Sequence, residues 1–112
     1  MIKYEKLVIG VGVKTNTFGI DTIKEGNGVH FLKHLYHARN IRNHIIECFE
    51  KAAIPGTSVE ERERLLSFII VGGGPTSCEF AAELFDFVTV DAKRLYGKFI
   101  PHVKVTVVEA GP

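Results

Sequence analysis

The sequence predicts an α/β fold: a truncated βαβ unit with parallel strands, an added linking helix, and one further strand ahead of both. Three observations predict it. Phe68 to Val71 is an apolar run that stops at Gly72-Gly73-Gly74. From Pro75 the apolar residues change to helical spacing, with Cys78, Ala81, Leu84, Phe85, Val88, Ala92 and Leu95 on one face. Val103 to Glu109 (VKVTVVE) then returns to a strand pattern. A buried-type run, a glycine turn, a helix and a second run follow the order of a parallel crossover unit, whose connection should be right-handed.

The elements can be justified in chain order. Leu7 to Val13 (LVIGVGV) is a near-continuous apolar run, as expected of a strand covered on both faces. The apolar start ends in glycines rather than a small-residue cleavage site, so it reads as a strand and not as a signal peptide. Thr15 to Gly28 is rich in Gly, Asn, Thr and Asp and reads as loop. VHFL reads as a brief extended piece before a helix from His34 to about Ala53. That helix carries an apolar stripe of Leu35, Ala38, Ile45, Phe49 and Ala52, with Arg42 between them. Pro55-Gly56 stops it. Ser58-Val59-Glu60-Glu61 has the capping-box pattern and opens a short charged helix to Leu66. Pro75 suits the first turn of the next helix, where its missing N–H costs little. That helix runs to about Tyr96, and Gly97 and Pro101 form the turn into the last strand.

Bulk properties narrow the function classes. A chain of 112 residues suggests one small domain, and a net charge of +1 calls for neither nucleic acid nor an anionic membrane as partner. No apolar run approaches the roughly 20 residues needed to span a bilayer. Cys48 and Cys78 lie far apart within helical patterns and read as free thiols of a reducing compartment. The strand set falls short of a doubly wound domain, so the chain reads as a piece of something larger. Apolar strands without partners should leave it marginally folded.

The glycine turn has the chemistry of a phosphate cradle. A pyrophosphate needs N–H donors and positive potential with no bulky side chain in the way, and a helix N-terminus supplies both. In the Rossmann-like fingerprint GxGxxG, Gly72 allows the tight turn and Gly74 the close backbone approach. Ser77 stands where the third glycine would sit, which loosens helix packing slightly. Glu109 ends the following strand, where a carboxylate can accept hydrogen bonds from an adenine ribose and repel a 2′-phosphate. Its separation from Gly72 exceeds the usual spacing of roughly 20 residues, and the long helix and the LYGKFIPH turn account for the surplus. The competing reading is a turn that merely joins strand to helix.

These residues resemble a known family. VGGGPTSCEFAAELFDFV is similar to the nicotinamide-binding motif of type II (alternative, rotenone-insensitive) NADH:quinone dehydrogenases, usually GGGPTGVEFAAEL. LVIGVGVKTNTFGI resembles the family segment LVIAVGAKTNTFGIPG. HFLKHLYHARNIRNHIIECFEKAAIPG resembles its linking helix, and VKVTVVEAG the end of its second nicotinamide-domain strand. Here Val13 replaces a common alanine, Ser77 and Cys78 replace Gly-Val, and Phe85 replaces a frequent histidine.

The resemblance implies a flavoprotein with two dinucleotide-binding domains, one for FAD and one, inserted into it, for NADH. A hydride passes from NADH to FAD and electrons pass on to ubiquinone, without proton pumping. By resemblance, residues 1–20 are the tail of the FAD-binding domain and the source of the preceding strand. Residues 21–66 are the linking loop and helices, and residues 67–112 the first half of the NADH-binding domain. Gly72, Gly73, Gly74, Pro75, Thr76 and Ser77 would hold the NADH pyrophosphate, and Glu109 the adenosine ribose. Glu79 falls where related flavoproteins carry a catalytic glutamate near the nicotinamide and flavin rings. Val11 and Gly12 match a strand end that lies against FAD. The parent enzyme is expected to be a homodimer bound peripherally to the mitochondrial inner membrane, while this chain alone should be inactive and colourless.

Other readings of the same residues compete. His30, His34, His37 and His44 invite a zinc site, but no cysteine or close carboxylate completes a tetrahedral set, so a solvated helix face is preferred. Cys78 lies near a helix N-terminus that could lower a thiol pKa, yet its apolar-stripe position favours core packing. Glu60 to Arg64 reads as a solvated charge run, and Glu79 reads equally as an exposed helix residue. A non-catalytic nucleotide-binding fragment and another FAD/NAD pyridine-nucleotide oxidoreductase remain as functional alternatives.

Overall fold

The computed structural model describes residues 2–26 and 28–111, which divide into two compact units, Met1–Ile41 and Arg42–Pro112.

In the first unit the expected preceding strand does not form. Leu7 to Val13 has no strand assignment, and Val8 and Val11 are each 90% exposed. An apolar run becomes a strand only when a neighbour takes its backbone hydrogen bonds. Among the described residues the one sheet has two strands, and neither is this segment. The expected loop is present. Asn16 Oδ1 accepts from the Phe18 N–H at 2.9 Å, in an Asx turn that carries Phe18 at φ 52 and Gly19 at φ 73. The extended piece reduces to an isolated antiparallel bridge between Gly26 and Val29.

Helix α1 spans Leu35–Ala53. Its start is fixed by His37, which is 3% exposed rather than part of a solvated face. His37 Nδ1 accepts from the backbone N–H groups of Lys33 at 3.1 Å and His34 at 3.0 Å. This does what a capping-box glutamate does, reaching back to amides that the helix leaves without partners. With Nδ1 an acceptor, the proton of the neutral ring sits on Nε2, which lies 3.3 Å from Glu25 Oε1. The expected stripe is exposed at Leu35 and Ala38.

In the second unit the stripe is right. Ile45, Cys48, Phe49 and Ala52 of α1 are buried, together with Leu66, Ile70, Leu84, Val88 and Ala92. Phe49, fully buried, stacks on Tyr96 at 5.1 Å and meets Phe87 edge-on at 6.3 Å. Helix α2 spans Val59–Leu65, and Ser58 Oγ caps it by accepting from the Glu61 N–H at 3.1 Å, as the pattern predicts. Within the charge run, Glu61 and Arg64 form an exposed pair, but Arg62 is half-buried and structural. Its Nε donates to the Ala52 carbonyl at the end of α1 (3.1 Å) and its Nη2 to the Thr57 carbonyl (3.2 Å), while the guanidinium lies 5.0 Å from the Phe99 ring centroid. One side chain thus holds the α1–α2 turn against the segment before the last strand.

Strand β1, Ser67–Val71, pairs in parallel with β2, Lys104–Val108, with Val71 opposite Val108. Between them runs α3, Pro75–Asp86, with Pro75 in the first turn as expected. The helix continues through a π-helical stretch, Phe87–Ala92, into α4, Lys93–Tyr96. Val88, Thr89 and Val90 form a β-branched run that suits a tight α-turn poorly, and Thr89 Oγ1 donates to the Phe85 carbonyl at 2.9 Å. The expected single face is buried at Leu84, Val88 and Ala92, whereas Cys78, Phe85 and Leu95 are exposed. A 3-10 segment, Gly97–His102, makes the turn into β2.

Candidate functional site

The site grows out of the strand register. Because Val71 lies opposite Val108 in a parallel pair, the next residues of the two strands, Gly72 and Glu109, emerge side by side at the same sheet end. The Gly72 N–H donates to the Val108 carbonyl at 2.8 Å, so the ladder continues into the turn before the chain swings away. Gly72 makes that swing at φ 108, a conformation L side chains rarely adopt. Gly74 then stands at the N-cap of α3 in extended geometry (φ −73, ψ 173), with no side chain capping the helix. Pro75 brings no N–H, and the Ser77 and Cys78 amides turn inward to the Gly74 carbonyl at 3.0 and 3.1 Å. The result is an open, glycine-lined helix start on exposed backbone, at the carboxyl end of parallel strands where α/β folds bind ligands.

Glu109 closes one side of the turn. Its Oε2 accepts from the Gly73 N–H, and its Oε1 accepts from the Ala110 N–H at 2.7 Å and the Gly111 N–H at 3.0 Å. The Gly111, Gly73 and Ala110 amides hold its carboxyl below the usual carboxylate range. A Cβ on Gly73 would lie 3.0 Å from Glu109 Oε2 and 3.1 Å from the Glu109 Cβ and Cγ. A side chain at the middle residue of the turn would therefore require the acid lying against it to shift by a few tenths of an ångström. At Gly72 an added Cβ would sit 3.5 Å from Ser77 Oγ, an ordinary contact. The serine in place of the fingerprint's last glycine is thus accommodated. Cys78 is exposed, not core, with Sγ 3.7 Å from the Gly73 carbonyl oxygen.

The structure brings together Gly72, Gly73, Gly74, Pro75, Thr76, Ser77 and Glu109 at one sheet end. It does not add Glu79, which is exposed at the start of the second turn of α3. Val11 and Gly12 belong to the other unit and are exposed, with Gly12 at φ 72 and no atom within 4 Å of where a Cβ on it would lie. Among the described residues, no group of three or more His, Cys, Asp or Glu side chains is placed to hold a metal ion. Sequence reasoning placed Cys78 beside the helix start but favoured core packing from its stripe position, and the structure leaves it exposed at the turn. A cleft of about 320 Å³ lined by Glu63, Pro101, His102, Val103 and Lys104 opens where β2 begins, at the opposite end from the glycine turn.

A family model for pyridine nucleotide-disulphide oxidoreductases matches residues 1–112. The chain belongs to that family. Within it, the chain is 57% identical over 111 residues to a protein of Dictyostelium discoideum described as a probable NADH dehydrogenase, covering 97% of this chain and 24% of the relative. It is 46% identical to the external alternative NAD(P)H-ubiquinone oxidoreductase B1, mitochondrial, of Arabidopsis thaliana, covering 96% of this chain and 19% of the relative. A solved structure of NDH2 from Plasmodium falciparum in complex with NADH superposes with a TM-score of 0.84 at 35% identity, covering 90% of this chain and 20% of that one. The family resemblance and the Rossmann-like α/β architecture expected from the sequence are both borne out. The chain spans about a quarter or less of the length of these relatives.

Proposed function

We propose that this chain is the nicotinamide-nucleotide-binding portion of a FAD-dependent, non-proton-pumping NADH:ubiquinone oxidoreductase. The observation that carries the reading is the junction of Glu109 with the Gly72–Ser77 turn. Bare backbone at a helix start and a carboxylate on the neighbouring strand are what a dinucleotide with a free 2′-hydroxyl requires. The segment boundaries follow the same reading: residues 1–20 as the tail of a FAD-binding domain, 21–66 as the link, and 67–112 as the first half of an NADH-binding domain.

In this role Gly72 turns the backbone aside and Gly74 leaves space for phosphate oxygens. The start of α3 supplies positive potential, with Thr76 offering the first N–H of the helix and Ser77 its hydroxyl. Glu109 accepts a ribose hydroxyl and disfavours a 2′-phosphate by charge repulsion. FAD, when bound, would take the hydride and supply electrons for quinone reduction. Gly12, with open space beside its backbone and Val11 before it, would lie against that flavin. Glu79, exposed on α3, would stand near the reacting rings. The quinone acceptor, the homodimer and peripheral attachment to the mitochondrial inner membrane belong to the same proposal. The relatives' descriptions support its quinone and mitochondrial parts. Among the described residues no helix is long and apolar enough to cross a membrane.

The reduced nicotinamide absorbs and emits to the red of the protein's aromatic residues, so NADH fluorescence can be followed directly during titration. NADH should bind more tightly than NADPH, and Glu109→Gln should narrow the difference. Equal affinity for the two nucleotides, or no binding of either, would overturn the reading for this chain.

A further inference from the structure

We propose that Glu109 is a positioning residue that sets the Gly73 peptide before any nucleotide arrives, so that the ribose acceptor and the phosphate turn are one preformed unit. This rests on the nucleotide-binding reading above and goes further, because it assigns the carboxylate work that needs no ribose.

The geometry of the turn carries the inference. The carboxylate takes three amide hydrogens, Gly73 on Oε2 and Ala110 and Gly111 on Oε1. An ionised carboxylate offers about four acceptor sites, so roughly one remains for a ligand hydroxyl. Ribose thus completes the set of bonds on Glu109 rather than creating it. Gly73 is held at both of its backbone polar groups, its N–H (in the Gly72–Gly73 peptide) by Glu109 from β2's end and its carbonyl (in the Gly73–Gly74 peptide) 3.7 Å from Cys78 Sγ on α3. The Gly73 Cα also packs so closely on the Glu109 stem that a Cβ there would meet three of its atoms at 3.0–3.1 Å. The peptide between the two phosphate-facing glycines is therefore oriented by a side chain 36 residues away. A turn fixed in advance loses less freedom on binding.

Glutamine is the discriminating substitution. Its single oxygen carries no full charge and its NH2 group cannot accept, so the Gly73 amide loses its charge-assisted bond whichever amides that oxygen keeps. Aspartate keeps the charge but is one methylene shorter. Charge alone predicts that Glu109→Gln strengthens binding of a phosphate anion, since a nearby negative charge is removed. Positioning predicts the reverse sign.

The test uses the full chain, isotope-labelled for amide NMR, with inorganic pyrophosphate as the probe because it has no ribose. In Glu109→Gln and Glu109→Asp the Gly73 amide resonance should move upfield and its hydrogen exchange should accelerate about tenfold, as expected for losing a charge-assisted hydrogen bond. The Phe49 and Ile70 amides should stay in place, showing that the core is intact. Pyrophosphate should bind several-fold more weakly to both variants. An unmoved Gly73 amide, or pyrophosphate binding to Glu109→Gln as tightly as to the wild type or more so, would overturn the proposal. If the Gly73 amide responds as expected while the wild type takes neither pyrophosphate nor NADH, positioning stands as a property of the turn and the nucleotide reading falls.

Discussion

Replacing Gly72 by alanine tests the physical basis of the turn most directly. The residue sits at φ 108, where an L side chain is held in a sparsely populated region at a cost of about 1–3 kcal/mol. Space adds little to that cost, because the new methyl group would lie 3.5 Å from Ser77 Oγ, an ordinary contact. Removing the hydroxyl as well, in Gly72→Ala with Ser77→Ala, should therefore recover almost nothing. Gly97 supplies the control. It has helical geometry (φ −49, ψ −35) and open space beside it, so Gly97→Ala should stabilise by about 0.4–1 kcal/mol through a less flexible unfolded chain. Urea unfolding followed by far-UV circular dichroism measures both. With a slope of about 1–3 kcal/mol/M, the Gly72→Ala midpoint should fall by on the order of 1 M while that of Gly97→Ala rises. A Gly72→Ala midpoint equal to wild type would refute the claim that the turn depends on this backbone conformation, as would full recovery by the Ser77 change.

The remaining predictions concern packing and charge. Phe49→Ala removes the fully buried side chain that stacks on Tyr96 and meets Phe87 edge-on and should cost about 3–5 kcal/mol, again read from urea midpoints. Arg62→Ala should cost about 1.5–3 kcal/mol, since two carbonyls lose a charged donor; Arg62→Lys should recover only part, because an ammonium cannot reproduce the fork. His37→Ala should cost about 0.5–2 kcal/mol by removing the acceptor of the Lys33 and His34 amides, and hydrogen exchange should quicken at those two amides while the core amides keep their protection. Glu109, with its carboxyl held below the usual range by the Gly111, Gly73 and Ala110 amides, gives the pH dependence. A lowered folded value means stabilisation that is complete above the ordinary carboxylate range and is lost as pH falls through the folded value. The stability gap between wild type and Glu109→Gln should therefore close on acidification, and a gap that widens in acid would contradict the hydrogen-bond pattern.

What was legible in the sequence is what is coded locally. Ser58 caps α2, Pro75 opens α3, and Gly72 takes the left-handed turn, each for a reason contained within a few residues. The β1–β2 pair and Glu109 beside the glycines followed from one longer rule, that a crossover returns the chain to the adjacent parallel position. The failures share a cause. The run Leu7 to Val13 shows only that its side chains would suit a buried strand; whether a neighbour supplies hydrogen bonds is not written in it. Leu35 and Ala38 continue the spacing of Ile45 and Phe49, but spacing cannot show where packing along a helix stops. His37 and Arg62 act on backbone groups, and such contacts leave no periodic trace. His37 did carry a signal, three residues after His34 where a capping-box side chain belongs. Arg62 carried none beyond its place in a charge run.

The site and the sheet around it also differ in what they need. Among the described residues, the hydrogen bonds that shape the turn join residues 72–78 and 108–111, so the cradle depends on one strand pair and the start of one helix. The sheet itself is covered on one face only: Ile70 is buried, whereas Ile69 and Val71, pointing the other way, are 67% and 71% exposed. Exposed β-branched side chains beside open strand edges favour association over a stable monomer. Local geometry and global stability therefore separate in this chain. A denaturant titration should show the Gly73 amide retaining its Glu109-bonded resonance for as long as the β1–β2 ladder amides stay protected, and losing it with them, while the first unit responds at a different concentration. Loss of the Gly73 resonance well before the ladder opens would mean that the turn draws its order from something other than the strand register that brings Glu109 to it.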